Sequence, residues 1–144
     1  MTEVAFHFNA TDKVAYACRL LRKAVGRGAK LVVTAGAADL QALDVALWTF
    51  APLEFVPHCT ARASAAVLAA SPVMLADPLS GTPHQQVLVN LGEGIPDGFE
   101  HFERLIEIVG MQDDDRQQAR GRWKHYADRG YVITRHDISS RSHT

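Results

Sequence analysis

Apolar positions recur along this chain with two periods, and the changes from one period to the other lay out its elements. Glu3 to Phe8 (EVAFHF) alternates and is rich in strand formers, which predicts a first strand. From Lys13 to about Arg27 the period lengthens. Val14, Ala17, Cys18, Leu21 and Val25 form a helical stripe, Thr11 or Asp12 can cap it, and Gly26 and Gly28 end it. Ala29 to Thr34 (AKLVVT) is a short β-branched run and fits a buried strand. Asp39 to Phe50 repeats Leu40, Leu43, Leu47 and Phe50 at spacings of three and four and predicts a second helix, which Ala51-Pro52 breaks. Phe55-Val56-Pro57-His58 is extended, because a proline biases its predecessor away from helix. Pro72 to Ala76 and Gln86 to Asn90 read as strands on either side of a proline- and glycine-bearing loop, Asp77 to His84. Alanine-rich Ala61 to Ala70 shows no clear period.

Phe99 and Phe102 are expected on a short helical turn, and Leu105 to Val109 (LIEIV) fits either a continuing helix or a strand. A last helix is predicted from Asp113 to Arg129, a final strand from Tyr131 to His136, and a frayed polar tail over residues 139–144. Strands alternating with helices imply one α/β domain spanning residues 1–144. Its sheet is expected to be mixed or mostly parallel and flanked by helices, in a Rossmann-like arrangement.

A chain of 144 residues can bury roughly two-thirds of its unfolded surface without disulfide staples. Its net charge of −1 excludes bulk attraction to nucleic acid, so any electrostatic function must reside in local patches. Such patches exist. Residues 93–115 carry eight acidic residues against Arg104 alone, and residues 116–144 carry seven basic residues against Asp128 and Asp137. The outward face of the first helix, with Lys13, Arg19, Arg22, Lys23 and Arg27, is a second basic surface and reads first as a solvated face. Cys18 and Cys59 are the only cysteines, and no apolar run approaches the ~20 residues of a membrane span. A cytoplasmic protein without a membrane partner is expected.

Catalytic and cofactor motifs are missing where an α/β enzyme would carry them. The turn Thr34 to Asp39 has a single glycine and neither the G-x-G-x-x-G spacing nor the Lys-Ser/Thr of a phosphate loop. The seven histidines form no metal-ligand spacing, and Ser64, Ser71 and Ser80 lack a nucleophile elbow. The carboxylates of residues 97–107, at helical spacings, read as a solvated face. No cofactor, metal, small-molecule substrate or catalytic residue is therefore expected.

The densest chemistry lies in the last helix. Arg116, Arg120 and Lys124 stand at i, i+4 and i+8 and form one ridge, with Trp123 beside it. The same helix needs an apolar stripe, and Ala119, Trp123 and Tyr126 supply one. Either the ridge is a solvated face, or it recognises an anion, with the aromatic wall receiving an apolar group beside the charge. An acidic peptide or a single nucleic-acid strand would fit.

The segment Arg116 to Asp137 (RQQARGRWKHYADRGYVITRHD) resembles the C-terminal signature of the chi subunit of bacterial DNA polymerase III holoenzyme. Two other stretches are similar in order and spacing: Ala46 to Phe50 with Phe55 to His58, and Val87 to Leu91 with Pro96 and Phe99. The resemblance implies a non-catalytic accessory subunit of the clamp loader in DNA replication. It implies that Arg120, Trp123 and Lys124, with Arg116 and Tyr126 secondary, capture the acidic C-terminal tail of single-stranded DNA-binding protein. It also implies a heterodimer with the psi subunit through Leu47, Trp48, Phe55 and Val56, residues that otherwise read as core. Trp123 stands where the family more often has Tyr or Phe. Direct binding of single-stranded DNA by the ridge, with Trp123 stacking on a base, is the alternative.

Overall fold

A computed structural model of the chain describes residues 2–49, 58–60, 72–75 and 85–138. Among the described residues seven strands form one sheet: β1 (Glu3–Ala10), β2 (Leu31–Thr34), β3 (His58–Thr60), β4 (Val73–Leu75), β5 (Val87–Asn90), β6 (Arg104–Gly110) and β7 (Ile133–Asp137). Their spatial order is β3-β4-β2-β5-β6-β1-β7, and every pairing is parallel. Parallel neighbours need crossovers, and among the described residues the helices α1 (Lys13–Gly26), α2 (Ala37–Thr49) and α3 (Asp113–Asp128) follow β1, β2 and β6.

Burial on both faces explains the strand sequences. Val32 and Val33 point to opposite sides of β2 and neither is exposed, as expected for a central parallel strand. On one face Ala17, Cys18 and Leu21 of α1 and Leu43 and Leu47 of α2 pack over Leu31, Val33, Val89 and Ile108. On the other, Ala119 and Tyr126 of α3 and the turn phenylalanines Phe99 and Phe102 cover Val4, Phe6, Val32, Leu88 and Leu105. The single α/β domain with a parallel sheet agrees with the hydrophobic pattern.

Boundaries agree closely. Asp12 is the N-cap of α1, its side chain accepting from the Ala15 amide at 3.1 Å. Leu105 to Val109, ambiguous by period, lies within strand β6, so Glu107 is an interior residue of the sheet instead of part of a solvated helical face. Phe99–His101 forms one 3-10 turn. Helix α3 stops at Gly130, whose φ of +81° no side-chain-bearing residue adopts cheaply. The expectations for Phe55 and Val56, Ala61 to Ala70, Asp77 to His84 and the tail fall outside the described residues.

Candidate partner-binding site

Helix α3 is held against the sheet by a polar cluster that the apolar stripe alone does not announce. Glu107 on β6 is fully buried, and so, within a few per cent, are Asn90 on β5 and Arg122 and Tyr126 on α3. The Nε of Arg122 donates to Glu107 Oε1 at 3.1 Å, and the Tyr126 hydroxyl donates to Oε2 at 2.5 Å. The Asn90 amide donates to Oε1 at 2.9 Å and to the Gly94 carbonyl at 3.0 Å, and Nη1 of Arg122 donates to the Glu93 carbonyl at 2.7 Å. Burial pushes the Glu107 carboxyl up, while Arg122, the Tyr126 hydroxyl and Asn90 pull it back. The Tyr126 phenol is also pushed up, by its own burial and then by the Glu107 charge beside it. Four side chains thus fix the rotation of α3 about its axis.

That rotation decides which cations remain outside. Arg122, three residues after Ala119 and four before Tyr126, shares their inward face. Arg120 and Lys124 are exposed and Arg116 is half-buried. The first turn adds a second anchor: Lys13 of α1 pairs with Asp115 at 3.3 Å, and Asp115 accepts from the Gly110 amide at 2.6 Å. Carboxylates at this helix end also suit its positive dipole.

Between α3 and the β7 edge of the sheet lies a groove of about 650 Å³. It is lined by Phe6, Phe8, Asn9, Val109, Arg116, Ala119, Arg120, Trp123 and Arg135. Trp123 is half-buried, its ring 5.0 Å from Phe6. The Arg135 guanidinium lies 5.3 Å from the Phe8 ring centre and 5.9 Å from that of Trp123. Arg116 donates to the Asn9 side-chain oxygen at 2.8 Å, and the Asn9 amide donates to Asp137 at 3.0 Å. Asn9 itself sits at φ +68°, a left-handed conformation that Asn tolerates better than most residues and that often marks a ligand clamp. Three arginines and no carboxylate line this groove, with aromatic rings as its floor.

Of the sequence-predicted residues, Arg116, Arg120 and Trp123 are thus brought together. Lys124 lies on the same helix, exposed, outside the groove lining. Tyr126, expected as a secondary surface contact, is interior, because its phenol is the partner of Glu107. Leu47 belongs to the core under α2, with 2% of its surface exposed, because the inward stripe of that helix faces β2. The Trp48 side chain, Phe55 and Val56 lie outside the described residues.

Sequence reasoning missed Phe6, Phe8, Asn9 and Arg135, which only the pairing of β1 with β7 carries to α3. It also missed the Glu107–Arg122 pair, for which a signal existed. A carboxylate inside the apolar run LIEIV requires a buried partner, and Arg122 falls on the apolar stripe of the last helix.

Two other clefts have less suitable linings. The crevice beyond the C-terminal ends of β2 and β5, about 330 Å³, is where doubly wound enzymes hold nucleotides. Its walls carry Glu93 and Asp97 and no lysine or arginine. The cleft of about 550 Å³ at the opposite end of the strands mixes Glu3, Glu100 and Glu103 with Arg104. Among the described residues no group of three or more potential ligands could hold a metal ion, and no helix is long and apolar enough to cross a membrane.

Comparison with known proteins gives the family. Residues 1–134 match the family described as DNA polymerase III chi subunit, HolC. The DNA polymerase III subunit chi of Pseudomonas aeruginosa is 30% identical over 143 residues, covering 96% of this chain and 98% of its own. That of Haemophilus influenzae is 28% identical over 131 residues, covering 85% of each.

Proposed function

The chain belongs to the DNA polymerase III chi subunit family, and from that premise we propose that it is a non-catalytic bridge between the polymerase assembly and single-stranded DNA-binding protein. The acidic C-terminal tail of that protein occupies the groove between α3 and β7. Carboxylates of the tail meet Arg116, Arg120 and Arg135, and its terminal aromatic side chain rests against Trp123. The observation that carries the reading is the lining: three arginines, no carboxylate and an aromatic floor. Arg120 and Lys124 add long-range attraction, and Tyr126 acts from behind by holding α3.

The psi subunit docks elsewhere, through Trp48, Phe55 and Val56, with Leu47, a core residue, next to Trp48 in the chain. That assignment rests on the family resemblance of the segment. Absence of an active site is part of the same reading, supported by the phosphate-hostile lining of the β2–β5 crevice.

Fluorescence anisotropy of a labelled acidic peptide ending in an aromatic residue tests the tail site. Binding that weakens with salt and falls about tenfold in Arg116→Ala, with labelled oligo-dT staying free, is the expected result. Binding of the oligonucleotide alone makes the groove a direct DNA surface and removes the bridging role.

A further inference from the structure

The cations of the groove are not equivalent, and the difference lies in what holds each of them. Arg120 is exposed, with no contact to fix its guanidinium among the described residues. Arg116 already gives one amino group to Asn9 at 2.8 Å. Arg135 stands on β7, directly across from Phe6 on β1, so the two side chains share the face of the sheet that α3 covers. Its guanidinium is held against the Phe8 and Trp123 rings. Ring contacts at cation–π distance supply no counter-charge, whereas the planar fork of a guanidinium grips a carboxylate with two parallel hydrogen bonds. None of the described residues pairs a carboxylate with Arg135. The groove therefore contains one guanidinium beside two rings, one already hydrogen-bonded to Asn9 and one without a fixing contact among the described residues.

We infer that Arg135 is the specificity-determining residue of the groove: it reads the terminal carboxylate of the bound tail, whereas Arg120 supplies attraction without discrimination. The inference rests on the tail-capture reading and deepens it. A guanidinium with two ring neighbours loses less freedom on binding than one without a fixing contact, so its hydrogen bonds contribute more than those of Arg120. Lysine at this position would keep the charge and lose the fork.

Two versions of one acidic peptide, with a free C-terminal carboxylate and with a C-terminal amide, separate the roles. Each is titrated against the wild-type protein, Arg135→Ala, Arg135→Lys and Arg120→Ala, with thermal melts to confirm folding. Arg135 is solvent-exposed, so its replacement leaves the core intact. The wild type is expected to prefer the free acid by about tenfold, the discrimination that one charge-assisted pair supplies. Arg135→Ala and Arg135→Lys abolish that preference, the lysine variant regaining overall affinity only. Arg120→Ala weakens both peptides alike and keeps the ratio. A preference that survives in Arg135→Ala, or that Arg135→Lys restores in full, overturns the assignment of the fork while leaving tail capture intact. Failure of the wild type to bind either peptide overturns tail capture, and this inference with it.

Discussion

Arg122 and Arg120 are two residues apart on the same helix and have opposite fates. The first is fully enclosed, its Nε on a buried carboxylate and its Nη1 on a backbone carbonyl. The second stands in solvent on the wall of a groove lined without carboxylates. Both are cations on one element of 16 residues, yet one serves the fold and the other is available to a partner. Location alone separates the roles. A buried charge without its partner costs several kcal/mol, so Arg122 is committed to Glu107, whereas an exposed charge costs almost nothing to leave open.

The sharpest test of this contrast is Glu107→Gln. It keeps the shape but turns one carboxylate oxygen into an N–H donor, so either Arg122 or Tyr126 loses its acceptor and urea unfolding should show a loss of about 1–3 kcal/mol. A variant that also carries Arg122→Met should recover much of that loss, since the pair is then removed as a whole. Should Glu107→Gln unfold at the wild-type midpoint, the buried pair is not what holds α3.

The opposite arm is Arg120→Ala, expected to leave the unfolding midpoint within about 0.5 kcal/mol. Its affinity for an acidic peptide should fall by about 1 kcal/mol in a titration at low salt, and less at high salt. Equal damage to stability and to binding would erase the distinction between the two arginines.

The smallest effect is a pH slope. The folded-state pKa of Glu107 lies above its ordinary value of 4.5, so the folded state holds this proton where the unfolded chain has released it. The stability tied to the protonated form is complete below about 4.5 and is lost as pH rises through the raised folded value. Thermal melts across that window should show the wild type falling relative to Glu107→Gln, in which the slope is absent. Parallel curves would mean that Arg122 offsets the burial of the carboxyl completely.

Much of this was legible from residue order. The stripes Ala17, Cys18, Leu21 and Leu43, Leu47 marked α1 and α2, the run AKLVVT marked β2, and Gly130 marked the end of α3. Half the groove was legible too, because Arg116, Arg120 and Trp123 follow one another at helical spacing. The other half was not. Phe8, Asn9 and Arg135 are more than a hundred residues from α3 or on the strand after it, and local periodicity is silent about which strands become neighbours. Glu107 was visible but ambiguous, since five residues with one carboxylate suit either a helix or a strand.

The strand order also sets a schedule for the growing chain. β1 and β2 are made first, yet β5 and β6 lie between them in the finished sheet. The first two strands must wait, joined by α1 and unpaired with each other, until about a hundred residues have left the ribosome and the central gap can be filled. The groove comes later still, because its far wall is β7. Only a chain synthesised through Arg135 presents the complete groove.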